Sequence, residues 1–221
     1  MSWSLLNLAV SRGARLIEAS ATDISEEGGR VVIATDGPYV IEADHVVLAS
    51  GYVMPQFVMP KLHSSASSFA LATVPQDASK LWRDRALVWE ASENYHYLRV
   101  TADNRIIIGG EDDEIADPDK RDAMLADKVA RLWETLGRMW PDIERRVSHT
   151  WCRTFGDTSD GLPLIGKVPG TKKIFAAYGY GGNGITFSYM ASRMIGPVIG
   201  GQRQAWFDAF ALDRDNPTNK G

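Results

Sequence analysis

Near its end the chain runs an apolar stretch, KKIFAAYGY, straight into four closely spaced glycines, Gly179, Gly181, Gly182 and Gly184. The residues that follow, ITFSYMASRMI, have helical character. Backbone without Cβ can approach a flat ligand closely. The free N–H groups of a first helical turn offer a positive site to an anion or an electron-rich carbonyl. Asn183 stands where it can cap that helix or offer its amide to the same ligand. A tight strand-to-helix turn with no ligand accounts for the same spacing. A phosphate loop does not, because no Lys-Ser/Thr pair follows the glycines, and the dinucleotide fingerprint is not in its usual place near a chain start.

Three other groups of residues have chemistry to offer. HVVLAS ends in Ala49-Ser50-Gly51, small enough for a loop to lie against a flat group or simply against other backbone. Tyr95, Tyr97 and Arg99 alternate with His96, so on a strand the first three share one face. Tyrosines so placed bound a pocket or pack across a sheet. Arg153, in RVSHTWCRTFGD, is a candidate carboxylate anchor or a structural arginine. His63 stands far from Cys152, His149 lies three residues before it with no carboxylate pair beside them, and no zinc-site spacing is present.

The elements that must position these residues follow from periodicity. A short helix around Leu5–Val10 is expected to stop at Gly13. ARLIEASATDI and RVVIATDG read as strands around an EEGG turn, and PYVIEADHVVLAS ends in a buried strand. From Phe57 to about Lys80 periodicity is lost, which reads as a crossover. ALVWEAS, NYHYLRVT and NRIIIGGE then suggest an antiparallel sheet. Met124, Leu125, Val129, Leu132, Trp133, Leu136 and Met139 line one helical face that Pro141 ends. RVSHTWCRTFGD reads as a strand and DGLPLIGKVPG as a turn-rich segment. The fold class is α+β (mixed α/β), divided as 1–56, 57–150 and 151–212, with a polar, frayed tail at 213–221.

Composition narrows the setting. Hydrophobic residues make up 44% of the 221 positions, enough for a substantial core. The net charge of −4 is evenly interspersed, which argues against nucleic acid as a partner. No apolar run is long enough to span a bilayer, and a lone cysteine suits a reducing compartment, so a cytoplasmic protein is expected.

Taken in order, HVVLASGY, NYHYLRVTADNRIIIGGEDDE and WCRTFGDTSDGLPLIG followed by YGYGGNGITFS resemble the D-amino-acid oxidase, glycine oxidase and sarcosine oxidase superfamily of FAD-dependent oxidoreductases. The likeness covers essentially the whole chain. It implies a partial FAD-binding domain (1–56 and 151–212) plus a substrate domain with an antiparallel sheet and a long helix (57–150). By the same resemblance Gly181, Gly182, Asn183, Gly184, Ile185 and Thr186 meet the flavin ring, Ala49, Ser50 and Gly51 lie towards the ADP side, and Ala21 or Thr22 approaches the adenine. Tyr97 and Arg153 are then the side chains expected to act on substrate, although the family's arginine position corresponds here to Phe155. The implied reaction oxidises the C–N bond of a small amine or amino acid by hydride transfer to FAD. The pyrophosphate-binding fingerprint is not in this sequence, so these residues alone are expected to be inactive and to need an N-terminal FAD-binding partner chain or a homo-oligomer. A non-catalytic remnant that binds other proteins and not FAD is the alternative.

Overall fold

The computed structural model describes residues 2–58, 63–92 and 94–214. Its largest sheet has five antiparallel strands. They are β5 (His63–Thr73), β6 (Val88–Trp89), β7 (His96–Val100), β8 (Ile106–Asp113) and β9 (Val147–Thr158), ordered β6-β7-β8-β5-β9. One face of this sheet carries the helix α2 (Pro118–Met139). Asp117 starts that helix by accepting the N–H groups of Asp119 and Lys120, and Pro118 fits the first turn because its missing N–H is not needed there. Trp140 ends it, immediately before Pro141. Leu132 and Leu136 are fully buried with Phe69, Leu71, Leu98, Ile106 and Ile108. Each such side chain contributes about 1.5–3 kcal/mol by leaving water.

The interior strand β5 lies in the segment expected to be an aperiodic crossover. Its sequence, HSSASSFALAT, fails to alternate because its second half is buried on both faces. It pairs with β8 on one side and with β9 along its length on the other, from His63–Thr158 to Thr73–Val147. Phe69 and Leu71 thus face α2, while Ser68 and Ala70 face away. Polar groups on the helix side are also paired. Ser67 Oγ donates to the Ile115 carbonyl at 2.5 Å, and Arg121 Nη1 donates to Thr154 Oγ1 at 3.0 Å.

The remaining strands form two three-stranded sheets. β1 (Ala21–Glu27), β2 (Arg30–Thr35) and β3 (Val40–Ala43) make an antiparallel meander. The first of them was expected to start near Ala14. It starts at Ala21, where Thr35 supplies its first partner, and Leu16 and Ile17 remain 65% and 53% exposed. The second small sheet is ordered β10-β11-β4, from β4 (Val46–Leu48), β10 (Leu164–Lys167) and β11 (Ile174–Tyr178). β10 falls in the stretch read as turn-rich, its Leu164 and Ile165 masked by flanking Gly and Pro but buried against β11. β4 runs parallel to β11 and is the edge of the sheet. α1 (Ser2–Ser11) buries none of its residues, and α3 (Gly184–Ile199) packs Ala191, Met194 and Ile195 against Ile165 and Phe175. Of the tail expected at 213–221, positions 215–221 lie outside the described residues. Arg214 is not frayed: its Nε lies 2.7 Å from Asp160 Oδ2.

Candidate functional site

The glycine turn stands between two cavities. Leaving β11, the chain takes positive φ at Gly179 (70°) and Gly181 (50°), a left-handed backbone that glycine adopts without strain. A single 3-10 turn, Gly181–Asn183, then leads into α3. Asn183 makes no side-chain cap, so among the described residues the amides opening α3 have no capping side chain. A Cβ added at Gly182 or Gly184 would meet nothing within 4 Å, so open space lies in front of both.

On one side is a cleft of about 620 Å³ between the ends of β4 and β11 and the flank of α3. Ala49, Gly51, Phe155, Gly179, Gly181 and Gly184 are among its walls. Close backbone contacts shape it. A Cβ at Gly179 would fall 2.9 Å from Thr158 Cγ2, and one at Gly181 3.1 Å from Asp157 Oδ1. Beside the cleft, His63 packs at a tilt against Tyr178, with ring centroids 5.2 Å apart, and presses against Gly156. Both His63 ring nitrogens are buried and have no hydrogen-bond partner among the described residues. Burial pushes the His63 pKa below the usual imidazole value, and the nearby Asp157 opposes that only in part.

On the other side is a cavity of about 600 Å³ over the sheet face that α2 does not cover. Ser68, Trp89, Tyr95, Tyr97, Phe155, Gly182 and Asn183 line it, so Phe155 is a wall of both spaces. Tyr97 lies over Gly109, where an added Cβ would stand 2.3 Å from the ring carbon Cζ. Its phenol is pushed up by burial, and a hydrogen bond with Ser68 works against that shift. Tyr95 stands 6.4 Å from Tyr97 and 5.8 Å from Trp89, centroid to centroid. The Tyr95 hydroxyl donates to Asp112 Oδ2 at 3.2 Å. Burial first, and then the Asp112 carboxylate, push the Tyr95 phenol up to about 12. On the opposite face His96 Nδ1 sits 2.5 Å from Glu90 Oε2, which pins the strand from behind.

Comparison with known proteins interprets this geometry. A sequence profile described as FAD dependent oxidoreductase (DAO) matches residues 1–196. The chain belongs to the DAO family of FAD dependent oxidoreductases. It is 27% identical to gamma-glutamylputrescine oxidoreductase of Escherichia coli (strain K12), over 93% of this chain and 49% of that protein. With glycine oxidase of Bacillus licheniformis it shares 24% identity, over 96% of this chain and 58% of the enzyme. The fold matches the crystal structure of glycine oxidase from Geobacillus kaustophilus with a TM-score of 0.75 at 23% identity, covering 96% of this chain and 57% of that one. The chain therefore spans about half the length of the relatives it matches.

Within this DAO chain the expected site residues separate into groups. Ala49, Gly51, Gly181 and Gly184 line the cleft; Tyr97, Gly182 and Asn183 line the cavity over the sheet. Ser50 is turned into its own loop, its hydroxyl donating to the Val53 carbonyl at 2.6 Å. Ile185 and Thr186 are exposed on α3 and line neither space. Ala21 pairs with Thr35 in the meander. Arg153 is exposed, and its Nη1 donates to the Cys152 carbonyl at 2.8 Å, so it is absent from both linings. Sequence reasoning missed Ser68, hidden in the misread β5, and also Trp89 and Asp112. The signal for Asp112 was its place three residues beyond Gly109, the glycine that makes room for Tyr97. Among the described residues no group of three or more His, Cys, Asp or Glu is placed to hold a metal ion, and no helix is long and apolar enough to cross a membrane.

Proposed function

We propose that this chain supplies the flavin-facing turn and the substrate sheet of an oxidoreductase that oxidises the C–N bond of an amine or amino acid. The observation that carries the reading is the uncapped start of α3 at Gly184, facing a glycine-walled cleft on one side and an aromatic cavity on the other. The residues fit a planar cofactor. Open space in front of Gly182 and Gly184 admits a ring against bare backbone, and the free amides suit the negative charge of a reduced flavin. Bound FAD supplies the acceptor for the hydride that leaves the substrate carbon, and the imine left behind is hydrolysed by water to a carbonyl compound and an amine. The chain's own residues orient. Phe155 separates the two spaces, Tyr97 bounds the substrate, and the Gly182–Asn183 backbone sets how near the reacting carbon comes. Arg153 would act on a carboxylate only after releasing the Cys152 carbonyl and swinging into the cavity.

The same reading assigns the rest of the FAD site to a partner segment. It would pack on the open edge of β4 and on α1, whose Trp3, Leu5, Leu8 and Val10 are all exposed. A cytoplasmic setting suits the free thiol of Cys152. These residues alone, without the polar contacts to the pyrophosphate, hold FAD weakly. Parallel fluorescence titrations of the chain with FAD and with lumiflavin, the bare ring system, test both points. Similar weak quenching of the two is expected, abolished by Gly184→Val, which fills the cleft from a helical position free of steric conflict. Tight one-to-one FAD binding would disprove the need for a partner. Quenching unchanged by Gly184→Val, or no quenching at all, would disprove the flavin site.

A further inference from the structure

The cavity over the substrate sheet is built for positive charge. Among its described lining residues none is basic, and four of them are aromatic rings: Trp89, Tyr95, Tyr97 and Phe155. Trp89, Tyr95 and Tyr97 follow one another as a wall, with centroids 5.8 and 6.4 Å apart. Behind the middle ring stands Asp112, one carboxylate oxygen accepting from the Tyr95 hydroxyl and the other buried with no hydrogen-bond partner among the described residues. A carboxylate in that position makes the wall electronegative, and ring faces attract cations most strongly where water is excluded. The nearest arginines offset it only in part: the charge of Arg99 reaches Tyr97 but acts more weakly there than that of Asp112. Arg153 is turned to the Cys152 carbonyl, and Arg99 is exposed on the same strand outside the lining.

We infer that the substrate is an amine carrying a second, cationic nitrogen, and that the wall of Trp89, Tyr95 and Tyr97 backed by Asp112 holds that distal ammonium. The inference rests on the reading of the glycine turn as the flavin edge. Hydride transfer needs an uncharged reacting nitrogen, and that nitrogen lies at the Gly182–Asn183 end of the cavity. The charge that recognises the site must then lie further along, and Trp89, 64% exposed at the mouth, marks where it sits. An α-amino acid would bring its carboxylate into a space whose described lining holds no basic residue, beside the half-buried Asp112 carboxylate, which costs binding.

The test uses the full chain without flavin. Choline, its uncharged isostere 3,3-dimethylbutan-1-ol, and acetate are titrated in turn, with binding followed by NMR line broadening of the ligand methyl groups. Choline is expected to bind about 2- to 30-fold more tightly than the isostere, the range that one cation–ring contact supplies. Asp112→Asn and Trp89→Leu should each remove much of that preference, bringing the affinity of choline down towards that of the isostere. Trp89 is exposed, so its replacement leaves the fold intact. Equal binding of choline and the isostere, a preference untouched by both variants, or acetate binding more tightly than choline would overturn the inference. Because no flavin is present, its failure is distinct from failure of the flavin site, which the lumiflavin titration reads separately.

Discussion

Arg214 offers the sharpest test of how the site is held in place. Its guanidinium grips Asp160 with two bonds of 2.7 Å, Nε to Oδ2 and Nη2 to Oδ1. Its remaining hydrogens go to the carbonyls of Leu162, Pro163 and Ala211 at 2.7–3.2 Å. The two side chains are only 7% and 4% exposed. This fork ties the end of the described chain to the turn that joins β9, carrying Phe155, to β10. Arg214→Met keeps much of the volume but leaves a buried carboxylate with little beyond the Leu162 N–H at 3.1 Å and the Thr158 hydroxyl. Breaking a buried pair this way costs about 3–5 kcal/mol. At roughly 2–4 °C per kcal/mol for a chain of this size, the melting temperature should fall by roughly 6–20 °C. The effect should also depend on pH. The bonds from Arg214 hold the Asp160 carboxyl below its ordinary value of 3.8, against the opposing effect of burial. A carboxyl depressed in the folded state contributes stability that is complete above the unfolded value and is lost as pH falls through the folded one. Urea denaturation from pH 7 to pH 3 should therefore show the gap between wild type and variant closing at the acid end. The double variant Arg214→Met/Asp160→Leu should recover most of the loss. A single variant within 1 kcal/mol of wild type at pH 7, or a double variant no better than the single, would refute the reasoning.

Two further outcomes follow from local geometry. Gly109→Ala forces the Tyr97 ring to move, since the new Cβ would stand 2.3 Å from Cζ, and should cost about 1–3 kcal/mol. In a Tyr97→Leu background the same change should cost under about 0.5 kcal/mol, and equal costs in both backgrounds by urea denaturation would rule out the contact. His63 is held neutral by burial, its pKa lowered from 6.5. Stability should thus decline as pH falls below about 6.5, where the unfolded chain takes up a proton the folded one resists. His63→Phe should flatten that decline between pH 7 and pH 5, and an unchanged slope would show that another group is responsible.

Much of this architecture could be read from local pattern. The α2 face through Leu132 and Leu136 follows from helical spacing alone. The glycine run after KKIFAAYGY announces a turn that ordinary side chains would not tolerate, and Gly179 and Gly181 do take positive φ. Alternation placed Tyr95 and Tyr97 together and His96 opposite. Where the pattern depended on distant partners it misled. β5 is rich in Ser and Ala because it is squeezed between β8, β9 and α2, and a strand buried on both faces has no reason to alternate.

The amino-acid order by itself determined the kinds of most elements and the place of the flexible-backbone turn, because these rest on short-range sterics and on periodicity, while the DAO family was legible as a resemblance carried by motifs in order. Tertiary structure alone decided which residues share a cavity. The 63–158 register between β5 and β9 brings Ser68 and Phe155 to the face that carries Tyr97, while Arg153, two residues from Phe155, spends its guanidinium on a neighbouring carbonyl. Strand pairing fixes which face a side chain takes, but the direction of a long side chain depends on acceptors that only the folded chain brings within reach.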